Sequence, residues 1–223
     1  MKKFKAAIFD MDGTLLESMY IWRNLAPEYL KRNNIAVPDD LLERLAPMAI
    51  KKAVDFLIDA FHINLTPEAM YNELLEVLAD FYRTSAVLKP GAREFLQKLH
   101  SNNIPTVIFS ATPEHLLHLA LDRWDMTRYF SHGLISCDML PYRKNNPESF
   151  FAVARHLNTD PADVMVFEDA WYAANTASSA GFAVTAIADS VEPRTEDMRE
   201  LAEFYVEKSW DEFPADRYFQ LNN

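Results

Sequence analysis

Asp10 and Asp12 stand two residues apart in the segment FDMDGTLLES, directly after a short apolar run from Lys5 to Phe9. Other polar side chains hold matching places further along. Ser110 follows the run Ile104 to Phe109, Glu168 and Asp169 follow Val164 to Phe167, and Lys144 lies in the loop after the short run around Leu134 and Ile135. An open parallel sheet gathers the carboxyl ends of its strands along one crevice, so these residues are expected to converge there. Carboxylates crowded into one crevice repel one another unless a cation lies between them, and hard oxygen donors suit Mg²⁺. Such a cation screens an anionic nucleophile from an anionic phosphate. One carboxylate could then attack phosphorus and form an aspartyl-phosphate. Another, two residues on, could protonate the leaving oxygen and later activate water. Ser110 offers a hydrogen bond to a phosphate oxygen and Lys144 supplies positive charge. Gly13 permits a sharp turn that aims backbone N–H groups at the phosphate.

The elements that must position these residues follow from the apolar pattern. Short apolar runs (Lys5–Phe9, Ile104–Phe109, GLISC around Leu134, Val164–Phe167, Phe182–Ile187) read as buried strands. Ala92–His100, Pro113–Trp124 and Phe150–Leu157 carry apolar residues at three- and four-residue spacing and read as helices. The alternation predicts an α/β fold, a Rossmann-like core with a mostly parallel sheet and helices on both faces. Glu17 to Thr84 shows no strand-like run. Helical periodicity spans Tyr20–Asn33, Asp39–Phe61 and Pro67–Tyr82, with Thr66 as a cap before Pro67. The expected organisation is therefore a core of residues 1–16 and 87–223 interrupted by a helical domain of residues 17–86. Thr14–Ser18 and Leu88–Gly91 would be the connections. After Val191 the chain reads as polar and mixed, with a final edge strand ending near Val206.

Composition narrows the possibilities. The 223 residues carry a formal net charge of −11, which argues against nucleic acid and anionic membranes as main partners. It also means that an anionic substrate needs a local island of positive charge. The lone cysteine, Cys137, excludes an internal disulfide, and the expected location is the cytoplasm. The lysines of MKKFKAAIFD precede too short an apolar run for a signal peptide. Each of the four glycines, Gly13, Gly91, Gly133 and Gly181, is expected to mark a backbone requirement.

Four segments together are similar to the motifs of the haloacid dehalogenase superfamily. FDMDGTLLES resembles the first, D-x-D-G-T, and VIFSAT resembles the second, a strand ending in Ser or Thr. KNNPESF resembles the third, and VFEDAWYAANTASSAGF the fourth. They occur in order, and the resemblance covers nearly the whole chain. The helical insert points to the subgroup with a helical cap, which includes phosphoglycolate-phosphatase-like and beta-phosphoglucomutase-like enzymes. The resemblance implies that Asp10 is the nucleophile and a metal ligand. It makes Asp12 the general acid/base, with its carbonyl on the metal. Asp169 is then a metal ligand, and Glu168 reaches the metal through water. Ser110 and the N–H of Ala111 hold the phosphate, and Lys144 steadies nucleophile and phosphate. The implied activity is a Mg²⁺-dependent phosphatase for a small phosphorylated metabolite, with the cap closing over the site. Glu17, Ala111, Asn145 and Ala173 depart from the common pattern without removing a catalytic group.

Simpler roles compete for each residue. Asp-Gly is a common turn pair. Ser110 or Thr112 could merely cap the helix that starts near Pro113, and Glu168-Asp169 could cap the helix after them. Lys144, beside Arg143, could be a solvated loop lysine. His115 and His118 read as surface residues with no evident third zinc ligand. Tyr20, Trp22 and Tyr29 read as packing residues of the insert, whereas Arg44, Lys51 and Lys52 suggest a solvated face that could also read a substrate. A sugar phosphomutase and a non-catalytic phosphometabolite-binding protein are the alternatives. Dehalogenation and phosphonate cleavage, which would need a reactive lysine such as Lys51 or Lys52, fit less well.

Overall fold

The computed structural model of the chain describes residues 3–45, 48 and 50–221. The chain divides into two compact units, one of Met1–Ser18 with Ala86–Asn223 and one of Met19–Ser85. It begins with strand β1 (Ala6–Phe9) and then runs through the helical unit: α1 (Met19–Arg23), α2 (Leu25–Arg32), α3 (Leu41–Leu45), α4 (Ile50–Phe61) and α5 (Pro67–Thr84). It continues with α6 (Ala92–Ser101), β2 (Thr106–Ser110), α7 (Glu114–Trp124), β3 (Leu134–Ser136), α8 (Pro147–His156), β4 (Val164–Glu168) and α9 (Trp171–Ser179). It closes with β5 (Ala183–Ile187), α10 (Thr195–Leu201), β6 (Phe204–Val206) and α11 (Ala215–Tyr218). Among the described residues no helix is long and apolar enough to cross a membrane.

Among the described residues, six strands form one parallel sheet in the order β3-β2-β1-β4-β5-β6. Strand β1 lies between β2 and β4, with Phe9 level with Ile108 on one side and Phe167 on the other. Its four residues are all buried, as expected when both faces of a sheet are covered. Side chains alternate between those faces. Ala6 and Ile8 join Val107, Phe109, Val166 and the small residues Ala173, Ala174 and Ala177 of α9 in one core. On the other side, Phe9 stacks on Phe167 with ring centroids 4.7 Å apart, and Trp210 lies 5.1 Å from Phe167 and 5.0 Å from Phe95. The fold is the expected α/β, Rossmann-like parallel sheet.

Three details differ from the sequence expectation. The helix read over Tyr20–Asn33 is broken into α1 and α2 at Asn24. A continuous helix would need the N–H of Pro27 to bond Arg23, and proline has none. The helix read over Asp39–Phe61 is two helices, α3 and α4, and the sequence between them contains Pro47; Ala46, Pro47 and Ala49 lie outside the described residues. The tail, read as polar and mixed, contributes Trp210, Phe213, Tyr218 and Phe219 to the core. By contrast α5 starts as read, with Thr66 Oγ1 accepting the Ala69 N–H at 3.2 Å.

Gly91 precedes α6 with φ +77°, and a Cβ there would lie 3.1 Å from the backbone nitrogen of Asp211. An L side chain is strained in that region and would also press on backbone. Gly91→Ala is expected to cost about 1–3 kcal/mol, read as a lower midpoint in denaturant with an unchanged slope.

Candidate active site

The ends of β1, β2 and β4 and the loop after β3 bring the candidate residues to one edge of the sheet. Asp10 directly follows β1, and its N–H donates to Phe167 O at 3.0 Å, fixing it beside the end of β4. Gly13 adopts φ +79°, and its N–H donates to Leu16 O at 3.0 Å, which closes the turn after Asp12. Lys144 reaches the same place just ahead of α8, whose start is set by Asn146 Oδ1 accepting the Glu148 N–H at 3.0 Å. Pro147 occupies the first turn of that helix, where a missing N–H costs nothing.

Lys144 Nζ donates to Asp10 Oδ1 at 2.6 Å and to Glu168 Oε2 at 2.7 Å. All three side chains are buried, so the solvated-loop reading of Lys144 does not hold. Asp169 lies beside them, and its Oδ1 accepts the Thr14 hydroxyl at 3.1 Å. Carboxylate oxygens of Asp10, Glu168 and Asp169 all lie within 4.8 Å of one another. Three carboxylates thus share one lysine. Burial tends to strip the charge from Lys144, but Asp10 and Glu168 outweigh it and raise its pKa. Burial also raises the pKa of Glu168, with Lys144 opposing. It raises that of Asp169, which Glu168 and Asp10 push further in the same direction. With all three carboxylates ionised the cluster would carry more negative charge than Lys144 balances, and its donors are hard oxygens. That donor set fits a Mg²⁺-type ion better than a thiolate- or imidazole-seeking metal.

A profile of the haloacid dehalogenase-like hydrolases matches residues 4–181. The chain belongs to this family. Among haloacid dehalogenase-like relatives, a phosphorylated carbohydrates phosphatase of Thermotoga maritima is 29% identical over 79% of this chain and 82% of its own length. A (DL)-glycerol-3-phosphatase of Arabidopsis thaliana is 30% identical over 82% of this chain and 78% of its own. The crystal structure of a candidate beta-phosphoglucomutase from Thermotoga maritima superposes with a TM-score of 0.78 at 25% identity, over 91% of this chain and 94% of that one. The chain is accordingly an enzyme of the hydrolase class in the haloacid dehalogenase-like family.

Ser110 is buried at the end of β2, and its Oγ accepts the Thr112 N–H at 3.3 Å. Ala111 beside it is exposed. Asp12 is buried but outside the acidic cluster; its Oδ2 accepts the Thr112 hydroxyl at 2.6 Å. Glu168, expected to reach the metal through water, contributes one carboxylate oxygen to the cluster; its Oε2 accepts from Lys144 and its Oε1 accepts the Ala170 N–H at 3.2 Å. His118 instead faces Glu114 on the surface, 3.8 Å away. In the helical unit, Trp22 Nε1 donates to the Tyr82 hydroxyl at 3.2 Å, and Arg44 lies over the Phe56 ring at 4.6 Å. Lys51 and Lys52 are exposed.

Thr14 and Thr112 were not assigned a place in the site from sequence, although both lie inside the quoted motifs. Tyr172 is exposed at the start of α9, yet near enough to Glu168 and Lys144 for their charges to act on its phenol.

Proposed function

We propose that the chain is a Mg²⁺-dependent phosphoric monoester hydrolase acting on a small phosphorylated sugar or polyol through an aspartyl-phosphate on Asp10. The observation that carries this is Lys144 bridging Asp10 and Glu168 in a buried cluster that includes Asp169. The names of the two phosphatase relatives support the substrate class. Asp10, Asp169 and the backbone carbonyl of Asp12 would hold the ion, with Glu168 behind them. When bound, the ion supplies positive charge that lets an anionic nucleophile meet an anionic ester.

The chain's own groups account for the rest. Lys144 holds one oxygen of Asp10 and leaves the carboxylate oriented for attack. An Asp10 oxygen bonds to phosphorus as the ester P–O bond breaks, and the leaving oxygen takes a proton from Asp12. Water then attacks the same phosphorus and gives its proton to Asp12. The P–O bond to Asp10 breaks, phosphate leaves, and both aspartates return to their starting states. Ser110 and the Ala111 N–H would hold the phosphoryl oxygens. The helical unit, Met19–Ser85, would serve as the cap that selects the substrate, in a core of residues 1–16 and 87–223. The cytoplasm remains the expected setting, and a small metabolite the expected partner.

Purified protein with Mg²⁺ should release phosphate from a panel of sugar and polyol phosphates. EDTA should reduce release to background, and added Mg²⁺ should restore it. A panel without any phosphate release in Mg²⁺ would overturn the reading. The beta-phosphoglucomutase likeness keeps one other outcome in view. Isomerised hexose phosphate without free phosphate would identify a mutase built on the same Asp10 chemistry.

A further inference from the structure

The hydroxyl of Thr112 donates to Asp12 Oδ2 at 2.6 Å, a contact between residues 100 apart in the chain, and both partners are buried. Thr112 stands where a helix cap is the simplest expectation. Its hydroxyl does not serve that purpose, because α7 begins after Pro113 with no side-chain cap. Thr112 is also held by its backbone. Its N–H donates to Ser110 Oγ at 3.3 Å, and its carbonyl accepts the Ser136 hydroxyl at 2.8 Å. The following proline restricts its backbone further. Asp12, by contrast, sits in a turn between β1 and a glycine at φ +79°. Two backbone hydrogen bonds hold Thr112, and its hydroxyl in turn holds the Asp12 carboxyl.

Resting on the reading of Asp12 as the group that protonates the leaving oxygen, we propose that Thr112 is a positioning residue that sets the plane of the Asp12 carboxyl for that transfer. General acid help matters most when the leaving alkoxide is poor and little when it is a stabilised phenolate. Thr112→Val keeps the shape and removes the hydroxyl. With the Mg²⁺-loaded protein, kcat/KM for glycerol phosphate should fall about ten- to hundredfold, whereas that for p-nitrophenyl phosphate should fall no more than about threefold. Thr112→Ser should stay within about threefold of the parent on both esters. Thr112→Ala repeats the test without the bulk of valine should Thr112→Val fail to fold, and a thermal melt shows which variant is folded.

Equal losses on both esters, or no loss on either, with an active parent would overturn the positioning role and leave the phosphatase reading intact. A parent inactive on these esters and on the whole sugar and polyol phosphate panel would overturn both.

Discussion

Asp10→Asn is expected to lower phosphate release by on the order of 10⁴-fold or more, because an amide cannot replace the carboxylate as nucleophile. The loss should come without unfolding. An asparagine oxygen can still accept the Lys144 hydrogen bond that now spans 2.6 Å. The substitution also reduces the buried carboxylates from three, Asp10, Glu168 and Asp169, to two around one lysine. Removing one of several repelling charges offsets what is lost in ion pairing. The melting temperature of Asp10→Asn should therefore equal or exceed that of the parent, an activity–stability opposition typical of charged sites. Phosphate release on the best ester of the panel, paired with a thermal melt, checks both halves. An inactive and unfolded variant would show only that Asp10 is structural.

Lys144→Met is expected to damage both properties. Methionine keeps the chain length beside the Phe109 ring, which the ammonium approaches to 5.3 Å, but removes the charge. Asp10 and Glu168 then lose their shared cation in a buried setting. Breaking such a pair by removing one partner costs about 3–5 kcal/mol. For a chain of this size the melting temperature should fall by about 10 °C. Activity should fall about a hundredfold or more, since Lys144 orients Asp10 and offsets the phosphate charge. Mg²⁺ should raise the melting temperature of this variant by more than it raises that of the parent. An unchanged melt without Mg²⁺ would contradict the central place given to Lys144.

The strands were legible in the sequence because both faces of the sheet are covered, which turns each strand into an unbroken apolar run. The polar residue just past each run marked the edge where the site lies. That is how Asp10, Ser110 and Asp169 could be placed from type and position alone. Lys144 needed more, because an exposed loop lysine looks the same until its partners are known. Thr112 and Thr14 stayed hidden for a related reason. A hydroxyl has no charge to betray its use, and its acceptor lies 100 residues away for Thr112 and 155 for Thr14. The break at Asn24 was readable in principle from Pro27, but helical periodicity continues through it. The burial of the tail is not legible locally, because Trp210 and Phe213 are separated by polar residues and pack on Phe9, Phe95 and Phe167 far upstream, while Phe219 packs on Phe4.

The central place of β1 bears on how the chain reaches this structure. Ala7 pairs with Thr106 on one side and Met165 on the other. Strand β1 must therefore wait for roughly 100 residues of synthesis before its first neighbour exists, and about 60 more before its second; at about 5–20 residues per second that is a delay of several seconds or longer. The helices of Met19–Ser85 wait less, since the unit is complete after 67 residues of chain. Synthesis thus favours early assembly of the helical unit while AAIF is still unpaired, an apolar segment open to mispairing. Asp10, at the end of that segment, meets Glu168 and Asp169 only when β4 docks. Catalytic competence is then one of the last properties this chain acquires.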